Sequence, residues 1–118
     1  TRRSSDLIMS SSLTRTIAYK MVAGFAKDEL FSGVTTIRTV GGLGNFDTRL
    51  RDEIESGTKL GPRILAANQG ISVPGGHMVG SVAVAASTIP DALKQLEKAK
   101  QEKVDLIKLM ITGGVLFC

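Results

Sequence analysis

Tryptophan is absent from this 118-residue chain, and cysteine, histidine and tyrosine occur once each, as Cys118, His77 and Tyr19. A single cysteine excludes an internal disulfide framework and any paired-cysteine metal knuckle. A single histidine means that no conventional histidine-rich metal site can be built from this chain alone. With aromatic residues at 4% there is no platform for stacking bases. The longest apolar runs fall far short of the ~20 residues that a membrane span needs. The opening T-R-R-S-S-D lacks the apolar core of a signal peptide. The expectation is a soluble protein of the reducing cytoplasm, with neither nucleic acid nor membrane as partner.

What is present is ordinary for a globular protein: 42% hydrophobic and 22% charged residues. The length suits one small domain with a modest core. The net charge of +4 is not gathered into a patch. Apart from Arg2-Arg3, the basic residues concentrate at Lys94, Lys98, Lys100 and Lys103, where Glu97 and Glu102 interleave with them as on a solvated helix face.

Along the chain, Leu13, Ile17, Met21 and Phe25 recur every four residues with Val22 and Ala26 beside them, which predicts a helix from Leu13 to Phe31 that stops at Gly33. The β-branched run Val34 to Val40 reads as a strand entering Gly41-Gly42-Leu43-Gly44. Asp47 reads as the N-cap of a short helix over Thr48 to Ser56, closed by Gly57. A second strand is expected over Pro62 to Ala67, opening into the loop N-Q-G-I-S-V-P-G-G-H-M-V-G; Ser81 to Ser87 carries no assignable pattern. Thr88-Ile89-Pro90-Asp91 has capping-box character and begins a helix over Ile89 to Lys103 that offers Leu93, Leu96 and Ala99 to a core. A third strand, Val104 to Thr112, ends at Gly113-Gly114. This alternation predicts an α/β fold with parallel strands, whose glycine-bearing loops share the carboxyl edge where such folds build their sites.

The third strand, V-D-L-I-K-L-M-I-T, carries a charge in its middle. Alternation puts Ile107, Leu109 and Ile111 on one side, suited to packing beneath helices, and Leu106, Lys108 and Met110 on the other. A desolvated Lys108 amine loses basicity and becomes available as a base, a Schiff-base nucleophile or a carbamate. Equally, Lys108 can pair with an acid or extend past an open edge. A phosphate-binding reading of G-G-L-G-N or P-G-G-H-M-V-G is weak, because neither matches a dinucleotide fingerprint or a P-loop with its lysine.

Taken together, G-V-T-T-I-R-T-V-G-G, L-R-D-E-I-E-S-G-T-K-L-G-P-R-I-L-A-A, P-G-G-H and D-L-I-K-L-M-I-T-G-G-V resemble consecutive blocks of the metal-dependent amidohydrolase superfamily, in its imidazolonepropionase-like and prolidase-like branch. The likeness runs from about Phe31 to Val115. It implies a partial (β/α)8 TIM barrel of about three βα units, with Val34 to Val40, Arg63 to Ala67 and Asp105 to Ile111 as its second, third and fourth strands. It further implies that Lys108, in a K-x-M-x-T-G-G context, is a carboxylated ligand bridging two divalent metals, zinc in the parent, which hold a hydroxide that attacks an amide carbonyl. His77 falls in the loop after the third strand, where it either contacts substrate or is merely solvated. Gly41, Gly42, Gly113 and Gly114 read as serving backbone geometry.

The chain departs from this pattern in lacking the His-x-His strand, the later histidines and the final aspartate, and in having Arg38-Thr39 where the family often has Arg-Asp. Residues 1–118 are therefore expected to be a fragment of a single catalytic barrel, with no complete domain and no metal held by this chain alone. The parent is expected to hydrolyse a C–N amide bond in a dipeptide, Xaa-Pro or cyclic-amide substrate. The isolated chain is expected to be inactive and, with open strand edges, to form homo-oligomers or aggregate. The alternative is a non-catalytic half-barrel that assembles with itself or a complementary chain.

Overall fold

The computed structural model describes residues 11–76, 79 and 83–111. The first helix, α1 (Ser12–Phe31), is fixed at both ends by local chemistry. The Ser11 hydroxyl accepts from the Thr14 amide at 3.2 Å. At the other end Gly33, with φ of +107°, donates to the Leu30 carbonyl while Val34 donates back to Glu29, the paired bonds of a Schellman close.

The side that α1 buries is not its bulkiest. Ala18, Tyr19 and Ala26 are buried, with Val22 and Ala23 packed beside them, whereas Leu13, Ile17, Met21 and Phe25 are each more than half exposed. Both stripes repeat every four residues. The one rich in alanine lets the helix approach its neighbours, and the bulkier one is left outside.

Strand β1 (Thr36–Arg38) pairs in parallel with β2 (Arg63–Leu65), Ile37 opposite Ile64, and the pairing is prolonged by Thr39 donating to the Leu65 carbonyl. Between them runs α2 (Phe46–Glu55). Asp47 is not its N-cap. Asn45 occupies that position without a side-chain capping bond, and Asp47 sits inside the first turn, buried. Gly57, with φ of +83°, follows the helix as expected. Tyr19 and Phe46 meet edge to face with ring centroids 5.4 Å apart, and Leu50, Ile64 and Ala66 complete a core between α1, α2 and this pair of strands.

Beyond β2 the structure departs from a single three-stranded sheet. Asn68 adopts φ of +58° and breaks the strand, and the segment read as a loop forms β3 (Gly70–Ser72). The stretch without assignable pattern contains β4 (Ala83–Ala85). Strand β5 (Leu109–Met110) is shorter than expected, and β3 lies between β4 and β5, both parallel to it. The described residues thus form five short strands in two parallel sheets. The segment leading into β5 spans the two: Asp105 donates to the Ala66 carbonyl at 2.7 Å, and Ile71 donates to the Lys108 carbonyl at 2.9 Å.

Helix α3 (Ile89–Gln101) has the anticipated start. The Thr88 hydroxyl accepts from the Asp91 amide, and the Asp91 carboxylate reaches back to the Ser87 hydroxyl at 3.0 Å. Its apolar side is not a core: Leu93 and Leu96 are exposed and no residue of the helix is buried. The small and polar residues Gln95 and Ala99 face β3 instead, across a narrow crevice shared with Ile71 and Ile107. Among the described residues no helix is long and apolar enough to cross a membrane.

Candidate functional site

The carboxyl ends of the parallel strands carry the loops of interest. Lys108 lies one residue before β5 and is half-buried, as are Leu106 and Met110, while Ile107, Leu109 and Ile111 alternate with them and are exposed. The period-two alternation therefore holds, with Ile107 on the side of α3 and Lys108 on the other. In this chain the lysine side is turned toward neighbouring residues, and the bulky apolar side is open because α3 covers only Ile107. Gly70 makes room for the lysine: a β-carbon at that position would lie 3.2 Å from Lys108 Cγ and 3.2 Å from Met110 Cε. No ion pair engages Lys108 among the described residues.

Beside it, Val73 to Gly76 form a type II turn, with Pro74 second, Gly75 third at φ of +71°, and Gly76 donating to the Val73 carbonyl at 2.8 Å. The turn folds so closely onto β3 that any side chain at residue 76 would overlap Ser72 Oγ. That same hydroxyl donates to the Met110 carbonyl at 3.2 Å. The turn leads directly to His77, which lies outside the described residues, as do Gly113, Gly114 and Cys118.

Two further clusters underlie these loops. The Asp47 carboxyl presses against Gly42, held in part by the Thr39 hydroxyl and the Asn68 backbone amide. Burial outweighs both and pushes its pKa above the usual carboxylate range. Its Oδ2 has no hydrogen-bond partner. Asn68, almost wholly buried, accepts from the Thr48 amide, donates to the Thr48 hydroxyl and to Glu102, and its carbonyl accepts from Gly42. In the second cluster, buried Arg51 donates to Asp105 Oδ2 and to the Lys103 carbonyl, each at 2.8 Å. Asp105 Oδ2 also accepts from the Ala66 amide at 2.9 Å, and these bonds, the Ala66 amide first and then Arg51, lower the pKa of Asp105.

Solved structures resemble this arrangement closely. A Bifidobacterium longum protein regarded as a prolidase superposes with a TM-score of 0.73 at 39% identity, over 82% of this chain and 24% of that one. An Xaa-Pro dipeptidase solved with methionine in its active site superposes at 0.69 and 30% identity, over 91% of this chain and 29% of that one. The chain belongs to the amidohydrolase superfamily. A prolidase complexed with N-methylphosphonate-L-proline, 20% identical, shows the same fold with a TM-score of 0.79 over 98% of this chain and 31% of that one. No family model and no curated protein matches. This amidohydrolase chain spans about a quarter to a third of the length of the solved chains it matches.

The superfamily is metal-dependent. Among the described residues no three histidine, cysteine, aspartate or glutamate side chains come together to hold an ion. Asp47 is occupied against Gly42, and Lys108 offers one donor. The described residues do not by themselves fit a divalent metal. The sequence offers Lys108 as a candidate and gives no comparable indication of the buried Asn68 or of the Arg51–Asp105 pair. Asparagine's tolerance of left-handed backbone was the available signal for the first. The second pair lies 54 residues apart in the chain and left no local trace.

Proposed function

We propose that this chain is part of the catalytic barrel of an amidohydrolase that cleaves a C–N amide bond in a dipeptide, Xaa-Pro or cyclic-amide substrate. Residues 1–118 are a fragment of that barrel, inactive in isolation. Lys108, carboxylated on its amine, is the candidate bridging ligand for two divalent ions, zinc in this reading, whose other donors lie outside the described residues. His77, following the Pro74–Gly76 turn, is the candidate substrate contact.

The observation that supports this most directly is the setting of Lys108. Its stem packs on a glycine, it is turned toward the body of the chain, and no acid among the described residues neutralises it. A purely structural lysine in a strand is ordinarily paired or fully solvated. The 39% and 30% identities to a protein regarded as a prolidase and to an Xaa-Pro dipeptidase favour the peptide substrate class.

The test is intact mass, metal content and Xaa-Pro dipeptide hydrolysis for the protein from its native source, compared with the 118-residue chain. The expected result is a mass well above 12.5 kDa, stoichiometric metal and proline release, with Lys108→Ala lowering kcat/KM by more than about a hundredfold. Metal-dependent hydrolysis by the 118-residue chain alone would overturn the fragment reading, and full activity of Lys108→Ala would overturn the lysine's role.

One observation favours a second reading, a non-catalytic half-barrel that self-assembles: the exposed row Leu13, Ile17, Met21 and Phe25 on α1. A defined, inactive oligomer as the native-source form would decide for it.

A further inference from the structure

We propose that Asp105, held by Arg51, is the positioning residue that sets the face on which the Lys108 amine emerges. The inference rests on the reading of Lys108 as a functional amine. Among the described residues the segment carrying Lys108 has little ladder of its own, since β5 is two residues long and pairs only with Ile71 and Ser72. Side chains alternate along it, so a slip of one residue would carry Lys108 to the exposed side.

Beside the bonds from Ile71 to the Lys108 carbonyl and from Ser72 to the Met110 carbonyl, what opposes that slip is Asp105. Its amide donates to the Ala66 carbonyl, and its carboxylate accepts from the amide of the same residue, so Asp105 grips Ala66 at two points. A backbone ladder would make those bonds with successive peptide groups, and here one side chain replaces one of them. Arg51 then fixes the clip from α2. A single nitrogen, Nη1, donates both to Asp105 Oδ2 and to the carbonyl of Lys103, on either side of Val104. Arg51 is itself only 8% exposed, so its reach is constrained. Three residues after the clip, Lys108 settles over Gly70.

The consequence is read site by site. Acetylation of the lysines of the 118-residue chain, followed by mass spectrometry, gives a labelling rate for each amine. Lys59, part-buried beside Glu53 and over the Tyr19 ring at the edge of the α1–α2 core, is the internal reference for global loosening. Asp105→Ala removes both the acceptor for Ala66 and the partner of Arg51. It is expected to raise labelling of Lys108 about tenfold with Lys59 unchanged. Asp105→Asn, which keeps an oxygen for the Ala66 amide, should give a smaller rise. Equal rises at Lys59 and Lys108 would show that the pair merely stabilises the fold, and no change at Lys108 would show that the register is set elsewhere. Either result overturns the proposal. In the native-source enzyme, Asp105→Asn should lower kcat with KM little changed. If Lys108→Ala leaves that enzyme active, the catalytic reading of Lys108 fails while the labelling pattern still decides whether Asp105 positions it.

Discussion

The carboxylate of Asp47 fills the space that a side chain at Gly42 would occupy: a β-carbon built there would overlap both carboxylate oxygens and lie 2.7 Å from Cγ. The glycine is thus required by a neighbour and not by its own backbone, whose φ is ordinary, unlike that of Gly41. Gly42→Ala should destabilise the chain by about 1–3 kcal/mol, read as a lower denaturant midpoint at unchanged slope. Combining it with Asp47→Ala should recover most of that loss. Strict additivity in the double-mutant cycle would mean that the two residues do not meet.

Asp47 also gives the chain a pH signature. Its folded-state pKa is raised by burial, so between the unfolded value and the folded one the native state binds more protons than the unfolded state. In that window this group makes stability fall as pH rises, and above it the cost of an ionised buried carboxyl is fully present. Asp47→Asn removes the charge and should therefore be more stable than the parent at neutral pH, with the advantage shrinking on acidification. Asp105 works in the opposite sense, since its lowered pKa contributes stability that disappears as pH falls through the folded value. A melting-temperature difference between Asp47→Asn and the parent that grows on acidification would contradict this account.

How far the fold was legible follows from which signals are local. The caps at Thr88 and Gly57 and the close at Gly33 were readable because each depends on residues within one turn. The alternation around Lys108 was readable because a strand's period is a property of the backbone. Which side of α1 is buried is not legible in the sequence, because two adjacent stripes share the same spacing, and only the shape of the partner surface chooses alanine over leucine. Asp47 was misassigned because a small acidic residue before a helix suits a cap as well as a buried first turn, and the deciding contact, Gly42, becomes visible only in three dimensions. The same holds for Arg51 and Asp105. The resemblance to amidohydrolases singled out Lys108 as a candidate, while the contact of Arg51 with Asp105, close before it in the chain, is visible only in three dimensions.

Tyr19 offers a probe free of interference, being the chain's sole tyrosine in the absence of tryptophan. Its hydroxyl donates to Glu53 at 2.7 Å and the Arg49 guanidinium lies 3.8 Å over its ring. Burial, then the bond to Glu53, then that carboxylate's charge raise its pKa far above the usual phenol value, with Arg49 offsetting part of the effect. The unfolded chain ionises first, so the stability linked to this group is intact below about pH 10 and is lost as pH climbs further. Phenolate absorbance should therefore appear only together with loss of the near-ultraviolet circular dichroism signal. Phenolate at pH 10 in a chain whose circular dichroism remains native would show that the hydroxyl is solvated. Tyr19→Phe, which frees Glu53 to water and its remaining partners Arg49 and Lys59, should cost only about 1 kcal/mol.

The two stripes of α1 make opposite predictions for the same chemistry. Ile17 and Met21 lie on the exposed row, which includes Leu13 and Phe25 and has no partner among the described residues, while Ala18 lies against Tyr19 and Phe46 in the core. An apolar row of this length drives association in water, so the chain should sediment as an oligomer or aggregate at micromolar concentration. Ile17→Lys with Met21→Lys should restore a monomer while changing stability by no more than about 0.5 kcal/mol, because neither residue leaves a cavity or an unpaired group behind. Ala18→Lys, one position away, forces an ammonium into the core and should unfold the chain. If the parent is monomeric at every concentration tested, the exposed row has no part in assembly. If Ile17→Lys unfolds it as Ala18→Lys does, the row is buried in the folded chain and the orientation of α1 described above is wrong.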